Sequence, residues 1–266
     1  MKRRFDKMHG LGNDFVIIDA RKDRFDVTPP LAKAIADRRT GVGCDQLILL
    51  EPSHAADLRM RIWNSDGGEV EACGNATRCV VQLTGARRIE SAGGLLEGTD
   101  LGAEVEVSIG APRFGWDDIP LAYPMDTSAL PMAWDGLEHP MAVNVGNPHL
   151  VFFVEDLGAF EIADLGPRIE HDPAFPQRIN VNVAQVDSDV LRLRTWERGA
   201  GLTLACGTGA CAAGVAAIRA KLLTSPVRVA MKGGTLTISW QEGEPVRMRG
   251  SATHVFSGEL DLTRLG

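Results

Sequence analysis

No stretch of this 266-residue sequence approaches the roughly 18 consecutive apolar residues a membrane-spanning helix needs. The opening MKRRFDKMHGLGNDF is basic but has no apolar core of a secretory signal behind it. The expectation is a cytoplasmic protein with no membrane partner. Basic blocks are also missing: 28 Lys and Arg against 35 Asp and Glu leave a formal charge of -7, a field that repels phosphate backbones and argues against nucleic acid as a partner. Lysine is scarce. It occurs at positions 2, 7, 22, 33, 221 and 232 and nowhere between 34 and 220, so no motif offers a lysine to hold pyridoxal phosphate. There is no GxxxxGK[ST] loop, and Gly41-Val42-Gly43 lacks the third glycine of a dinucleotide fingerprint.

What is present is ordinary globular composition, 44% hydrophobic and 24% charged with 29 Gly and 14 Pro, which excludes disorder, collagen and coiled coil. Five cysteines, Cys44, Cys73, Cys79, Cys206 and Cys211, are an odd number in a long chain and point to reduced thiols.

The sequence repeats itself. Arg59, Arg61, Trp63, Gly68, Ala72, Cys73 and Gly74 fall on Arg192, Arg194, Trp196, Gly201, Ala205, Cys206 and Gly207 at a constant offset of 133. Further upstream, at an offset of 134, Gly12-Asn13 matches Gly146-Asn147, and Gln46 matches Asn180. Four anchors in order and spacing indicate duplicated halves. We expect the division at 118, with 1–118 carrying Cys73, 119–266 carrying Cys206, and a C-terminal strand near 255–266 able to pack back onto the first half. In each half an alternating strand (RMRIWN, RLRTWE) leads through a glycine-rich loop to a Cys-Gly that opens an apolar helix. GTGACAAGVAAIRAKLL is apolar on nearly all faces and reads as buried. NATRCVVQLTGARR is similar with a more polar flank. Thr28 before Pro29 and LAKAIADRR reads as a capped surface helix. VEVSI, VRVAM, TLTISW and VRMRG read as strands, and the class is α+β with two pseudo-symmetric, strand-rich domains.

A helix N-terminus lowers a thiol's pKa and offers unpaired N–H groups to an anion. Two such sites related by pseudo-symmetry, facing each other across a cleft between the halves, could remove a proton from a carbon and return one from the opposite side, with a carboxylate held by the N–H groups after Cys73 and Cys206. Cys44, Cys79 and Cys211 read as packing. Two alternatives stay open. Cys73/Cys79 and Cys206/Cys211 could be metal ligands, although their spacing fits zinc knuckles poorly and no His pair accompanies them. A Cys-His hydrolase could draw on His9, His54, His139, His149, His171 or His254. The recurring amides Asn13, Gln46, Asn64, Asn147 and Asn180 suit a small polar substrate, and Glu197-Arg198 could take the ammonium and carboxylate of an amino acid.

Taken together, MHGLGNDF, GVGCDQ, NSDGGEVEACGNATRC, VGNPH, RINVN and WERGAGLTLACGTGACAA resemble the diaminopimelate epimerase family in six motifs from Met8 to Ala213. The resemblance implies cofactor-independent interconversion of LL- and meso-diaminopimelate on the bacterial route to lysine and peptidoglycan. It also implies two similar domains, each with strands wrapped around a central helix, and a homodimer. By the same resemblance Cys73 and Cys206 are the acid/base pair, and Gly74-Asn75 and Gly207-Thr208 form the cradle of the reacting carboxylate. Asn13, Gln46, Asn64, Asn147, Asn180, Glu197 and Arg198 contact the rest of the substrate, the last five resembling the clamp on its distal stereocentre. His149 and Glu197 resemble residues that assist proton handling near the amino group. One position departs from the pattern: Leu202 stands where many relatives carry an acidic residue. Proline racemases and hydroxyproline epimerases share the two-cysteine design but typically have His where Asn75 stands here.

Overall fold

In a computed structural model, which describes residues 2–71 and 73–264, the strands of the first half follow from β-branched and apolar alternation. Lys2–Gly10 pairs antiparallel with Asn13–Asp19, which runs parallel to Gln46–Glu51, which is antiparallel to Leu58–Asn64. That strand is in turn parallel to Arg88–Ser91, followed by an antiparallel Gly94–Asp100. The second half repeats the pattern. Met141–Asn144 and Pro148–Phe153 are antiparallel, Asn180–Asp187 joins in parallel, and Val190–Glu197 is antiparallel to it. Val227–Met231 then adds in parallel and Gly234–Ser239 antiparallel.

The duplication extends to register. Phe15 pairs with Gln46 as His149 pairs with Asn180, Ile48 with Ile62 as Asn182 with Thr195, and Trp63 with Glu69 as Trp196 with Leu202.

Among the described residues four α-helices complete the two halves: α1 (Pro29–Ala36), α2 (Gly74–Thr84), α3 (Ile162–Glu170) and α4 (Gly207–Arg219). Thr28 caps α1, accepting from Leu31 N at 3.4 Å, with Pro29 in the first turn. Its Ala32, Ile35 and Ala36 bury against Val16, Ile18, Leu47, Leu49 and Trp63. In the second half α3 does the same, setting Ile162, Leu165 and Ile169 against Leu150, Phe152, Val181 and Val183. Sequence patterning missed α3, because Gly166 and Pro167 interrupt it and read as breakers. The repeat offset from α1 lands on it and was the available signal. α4, buried along most of its length, packs against strands of the second half, as its Ala and Gly composition implies. α2 is buried through Val81 and ends at Gly85 in the left-handed region (φ 71°).

Each unit therefore carries a strand layer with an outer helix on one face and a wrapped helix on the other. The units comprise the described residues of Met1–Val107 with Gly250–Gly266, and Ser108–Arg249. This division falls after Val107, where 118 was expected, because the chain from Ser108 joins the second unit. The return to the first unit begins at Gly250, ahead of the expected 255, and the strand Thr253–Asp261 pairs antiparallel with Lys2–Gly10. Among the described residues no helix is long and apolar enough to cross a membrane.

Candidate functional site

In the first unit Cys73 is the N-cap of α2, half-buried and in extended backbone (φ -148°, ψ 113°). Its Sγ lies 3.9 Å from Asn13 Oδ1, and Asn75 Nδ2 donates to the same oxygen at 3.2 Å. Asn13 follows Gly12, whose φ of 88° is a conformation a β-carbon would strain. The Asn13 amide is oriented from behind: its Nδ2 donates to Asp45 Oδ2 at 2.9 Å, and Arg38 clamps Asp45 and Asp14, each at 2.7 Å. Burial raises the Asp14 carboxyl, but hydrogen bonds from Arg38 and Lys7 outweigh it and hold the group well below the usual carboxylate range. Lys7 is thereby occupied, donating to Asp14 at 2.5 Å and to the Gly43 carbonyl. Gln46 Nε2 donates to Asn64 Oδ1 at 2.9 Å. Gln46 Oε1 and Asn75 Oδ1, like Gln82 Oε1 on α2, are buried oxygens with no hydrogen-bond partner among the described residues; those of Gln46 and Asn75, both expected substrate contacts, are acceptors open to a ligand's donor.

In the second unit Cys206 is the N-cap of α4, only 4% exposed. Gly209 N donates to its Sγ at 3.3 Å, and the Thr208 hydroxyl lies at 3.5 Å. Burial first, then the charge of the Glu197 carboxylate, push this thiol well above its ordinary pKa, against the opposite pull of Thr208 and Gly209. Thr203 Oγ1 donates to Glu197 Oε1 at 2.6 Å. A cavity of about 300 Å³ reaches Cys206, lined among others by Thr195, Leu202, Leu204 and Lys232.

The turn carrying Glu197 and Arg198 is held by Asn180, whose Nδ2 donates to Pro148 O at 2.8 Å while its Oδ1 accepts from Arg198 N at 2.9 Å. It is held again by Glu170, a buried carboxylate that sequence reasoning missed, accepting from Trp196 Nε1 at 2.7 Å and Gly199 N at 3.0 Å. The Arg198 side chain is exposed, and its Nη1 donates to Gln177 O at 2.9 Å.

Asn147 sits behind Gly146 (φ 108°), as Asn13 behind Gly12. Its Oδ1 lies 2.9 Å from Nε2 of His149, a fully buried ring. Burial, and then the charge of Arg198, lower the His149 pKa from 6.5 to about 3. The ring is therefore neutral across the physiological range and brings no ionisable proton of its own.

Among the described residues no cysteine is in a disulfide. Burial pushes Cys44 up to about 11 and Cys79 up to about 12, consistent with packing roles. Among the described residues no group of three or more His, Cys, Asp or Glu is placed to hold a metal ion. Leu202 finds its explanation in the repeat. In the first unit Glu69 pairs with Arg61 at 2.7 Å. At the matching positions Leu202 offers no charge, and Arg194 donates to Phe160 O at 2.9 Å, so the first unit's ion pair has no counterpart in the second.

The chain matches the family model described as diaminopimelate epimerase over residues 5–114 and 141–255. It is 64% identical to the diaminopimelate epimerase of Rhizorhabdus wittichii, covering 100% of this chain and 98% of the relative. It is 62% identical to that of Sphingopyxis alaskensis, covering 100% of both. A crystal structure of a Bacillus anthracis phenazine biosynthesis protein of the PhzF family superposes with a TM-score of 0.68 at 15% identity, over 98% of this chain and 99% of that one, a likeness of fold.

Proposed function

The chain belongs to the diaminopimelate epimerase family, and from that premise we propose that it interconverts LL- and meso-2,6-diaminopimelate with Cys73 and Cys206 as its two acid/base groups. The observation that carries this reading is the placement of both thiols. Each is the N-cap of a wrapped helix, at the same point of a duplicated register. Inversion at one carbon requires a base and an acid on its opposite faces, and each unit supplies one.

In one direction a thiolate takes the α-proton and becomes a thiol. The electron pair left on carbon delocalises into the substrate carboxylate, whose growing charge is met by first-turn N–H groups of Gly74-Asn75 and Gly207-Thr208. The second thiol then gives its proton to the opposite face and is left as thiolate. Burial and Glu197 favour the protonated form of Cys206, which suits it to act as the acid in that direction. The reverse reaction exchanges the roles, and the two titrations are coupled.

The remaining groups fit an amino acid. The unpartnered oxygens of Gln46 and Asn75 suit an ammonium donor, and Arg198 suits a carboxylate. Asn13, Asn64, Asn147 and Asn180 orient or contact the rest of the molecule, and Glu197 acts on the Cys206 thiol. No cofactor enters any step. The reading carries a cytoplasmic location, supported by an odd count of five cysteines in a chain of this length. It also carries a homodimer, supported by Val255 and Phe256, 54% and 47% exposed on the C-terminal strand. Sedimentation of the purified protein checks the latter, and a monomer contradicts it. The function is tested by turnover of LL-diaminopimelate by the wild type and by Cys73→Ala and Cys206→Ala. Each variant is expected to be inactive, and retained turnover in either refutes the two-thiol mechanism.

A further inference from the structure

We propose that Asn182 and Thr195, acting through His149, are positioning residues that commit Asn147 to donate to a carboxylate of the substrate, an inference that rests on the amino-acid reading above. The hydrogen-bond directions follow from one group that can only accept. Asn182 Nδ2 lies 2.8 Å from the Leu150 carbonyl, so that end of the amide is the NH₂, and Oδ1 accepts from Thr195 Oγ1 at 2.9 Å. The second N–H of Nδ2 points to His149 Nδ1 at 3.1 Å, making Nδ1 an acceptor and leaving the ring proton on Nε2. Nε2 then donates to Asn147 Oδ1 at 2.9 Å, which consumes the acceptor of that amide and leaves two N–H donors on its other end. The opposite tautomer would turn the Asn147 amide over and present its oxygen, which repels a carboxylate.

The repeat shows that the fold does not require this chain. At the corresponding positions of the first unit stand Phe15, Ile48 and Ile62, all fully buried. The same strand register thus closes over three apolar side chains there. In the second unit it closes over a histidine, an amide and a hydroxyl that are 0%, 0% and 3% exposed. Burying polar groups is costly even when they are satisfied, and apolar replacements of similar shape are often neutral or stabilising. The chain also lies against the catalytic helix: a β-carbon on Gly209, in the first turn of α4, would stand 2.7 Å from Asn182 Oδ1 and 2.8 Å from Thr195 Oγ1. The polar chain therefore serves the site rather than the core.

The test copies the first unit into the second with a His149→Phe/Asn182→Ile/Thr195→Ile variant. It is expected to fold with a Tm no lower than the wild type and to show a KM for LL-diaminopimelate raised about 10- to 100-fold, the loss of one hydrogen bond to a charged group. kcat is expected to change less, since the contact lies away from the reacting carbon. Imidazole ¹⁵N spectra of the wild type need no folded variant. They are expected to show His149 with Nε2 protonated, Nδ1 bare, and no change between about pH 5.5 and 8.5. A folded variant with wild-type KM, or a protonated Nδ1, overturns the proposal. A wild type that does not turn over diaminopimelate overturns the functional reading instead, whereas wild-type turnover with an unchanged variant KM overturns only the positioning role.

Discussion

His149→Phe removes a buried imidazole that the fold keeps neutral, and its consequence for stability against pH can be worked out beforehand. The folded-state pKa is lowered from 6.5 to about 3. Above about 6.5 both folded and unfolded chains hold the ring neutral and it adds no pH dependence. As the pH falls below 6.5 the unfolded chain takes up a proton that the folded chain refuses, so stability drops by about 1.4 kcal/mol per pH unit until the folded pKa is reached. By pH 5 the wild type should have lost about 2 kcal/mol through this residue alone. Carboxylates titrate as well, but they are common to both proteins. The fixed cost of unpairing Asn182 Nδ2 and Asn147 Oδ1 in the variant likewise cancels between two pH values. Urea unfolding of wild type and His149→Phe, followed by tryptophan fluorescence at pH 7.5 and pH 5, therefore isolates the effect. The wild-type advantage over the variant should shrink by about 2 kcal/mol on going to pH 5. A difference that stays constant within about 0.5 kcal/mol would show that the ring is not held neutral and would refute the reasoning.

Three further outcomes follow from the geometry. Glu197→Gln removes the negative charge that helps keep the Cys206 thiol protonated, so the high-pH limb of the kcat/KM profile should move to lower pH. A limb that stays in place or moves up contradicts the assignment of Cys206 as the acid. Gly166→Ala would set a β-carbon 2.4 Å from the Trp196 ring; thermal denaturation should show a loss of about 1–3 kcal/mol from this overpacking, with the Glu197-Arg198 turn displaced and KM raised. Asn147→Asp turns a donor into an anion that repels a substrate carboxylate and should raise KM with the chain fold retained, checked by steady-state kinetics alongside circular dichroism.

Much of this architecture is legible in the residues because the chain is written twice. The offset of 133 between Cys73 and Cys206 aligns two strands, two loops and two helices, and the register of the strands follows it pair by pair. Patterning failed where a strand is covered on both faces. In Asn180–Asp187, alternation of Val with Asn marks a strand but does not say what covers its second face. Val181 and Val183 pack toward α3, and Asn180 and Asn182 are also buried, so no local pattern singled out Asn182 or Thr195. The role of Glu170 was hidden for a related reason. It is set by the end of α3, a helix that Gly166 and Pro167 disguise, and by contacts to Trp196 and Gly199 that no local pattern encodes. The cysteines themselves were legible because a Cys-Gly at a loop-to-helix junction has a physical meaning in each half that the repeat doubles.

The account turns on whether two thiols share one proton transfer, and the most direct measurement is ¹H NMR of LL-diaminopimelate incubated with the enzyme in D₂O. Wild type should form meso-diaminopimelate carrying deuterium at the inverted carbon, because the proton delivered comes from a solvent-exchanged thiol on the face opposite to the one attacked. Cys73→Ala and Cys206→Ala should each form no epimer. Epimer that retains its original hydrogen at the inverted carbon from the first turnover, or that either alanine variant still produces, would contradict the two-thiol mechanism.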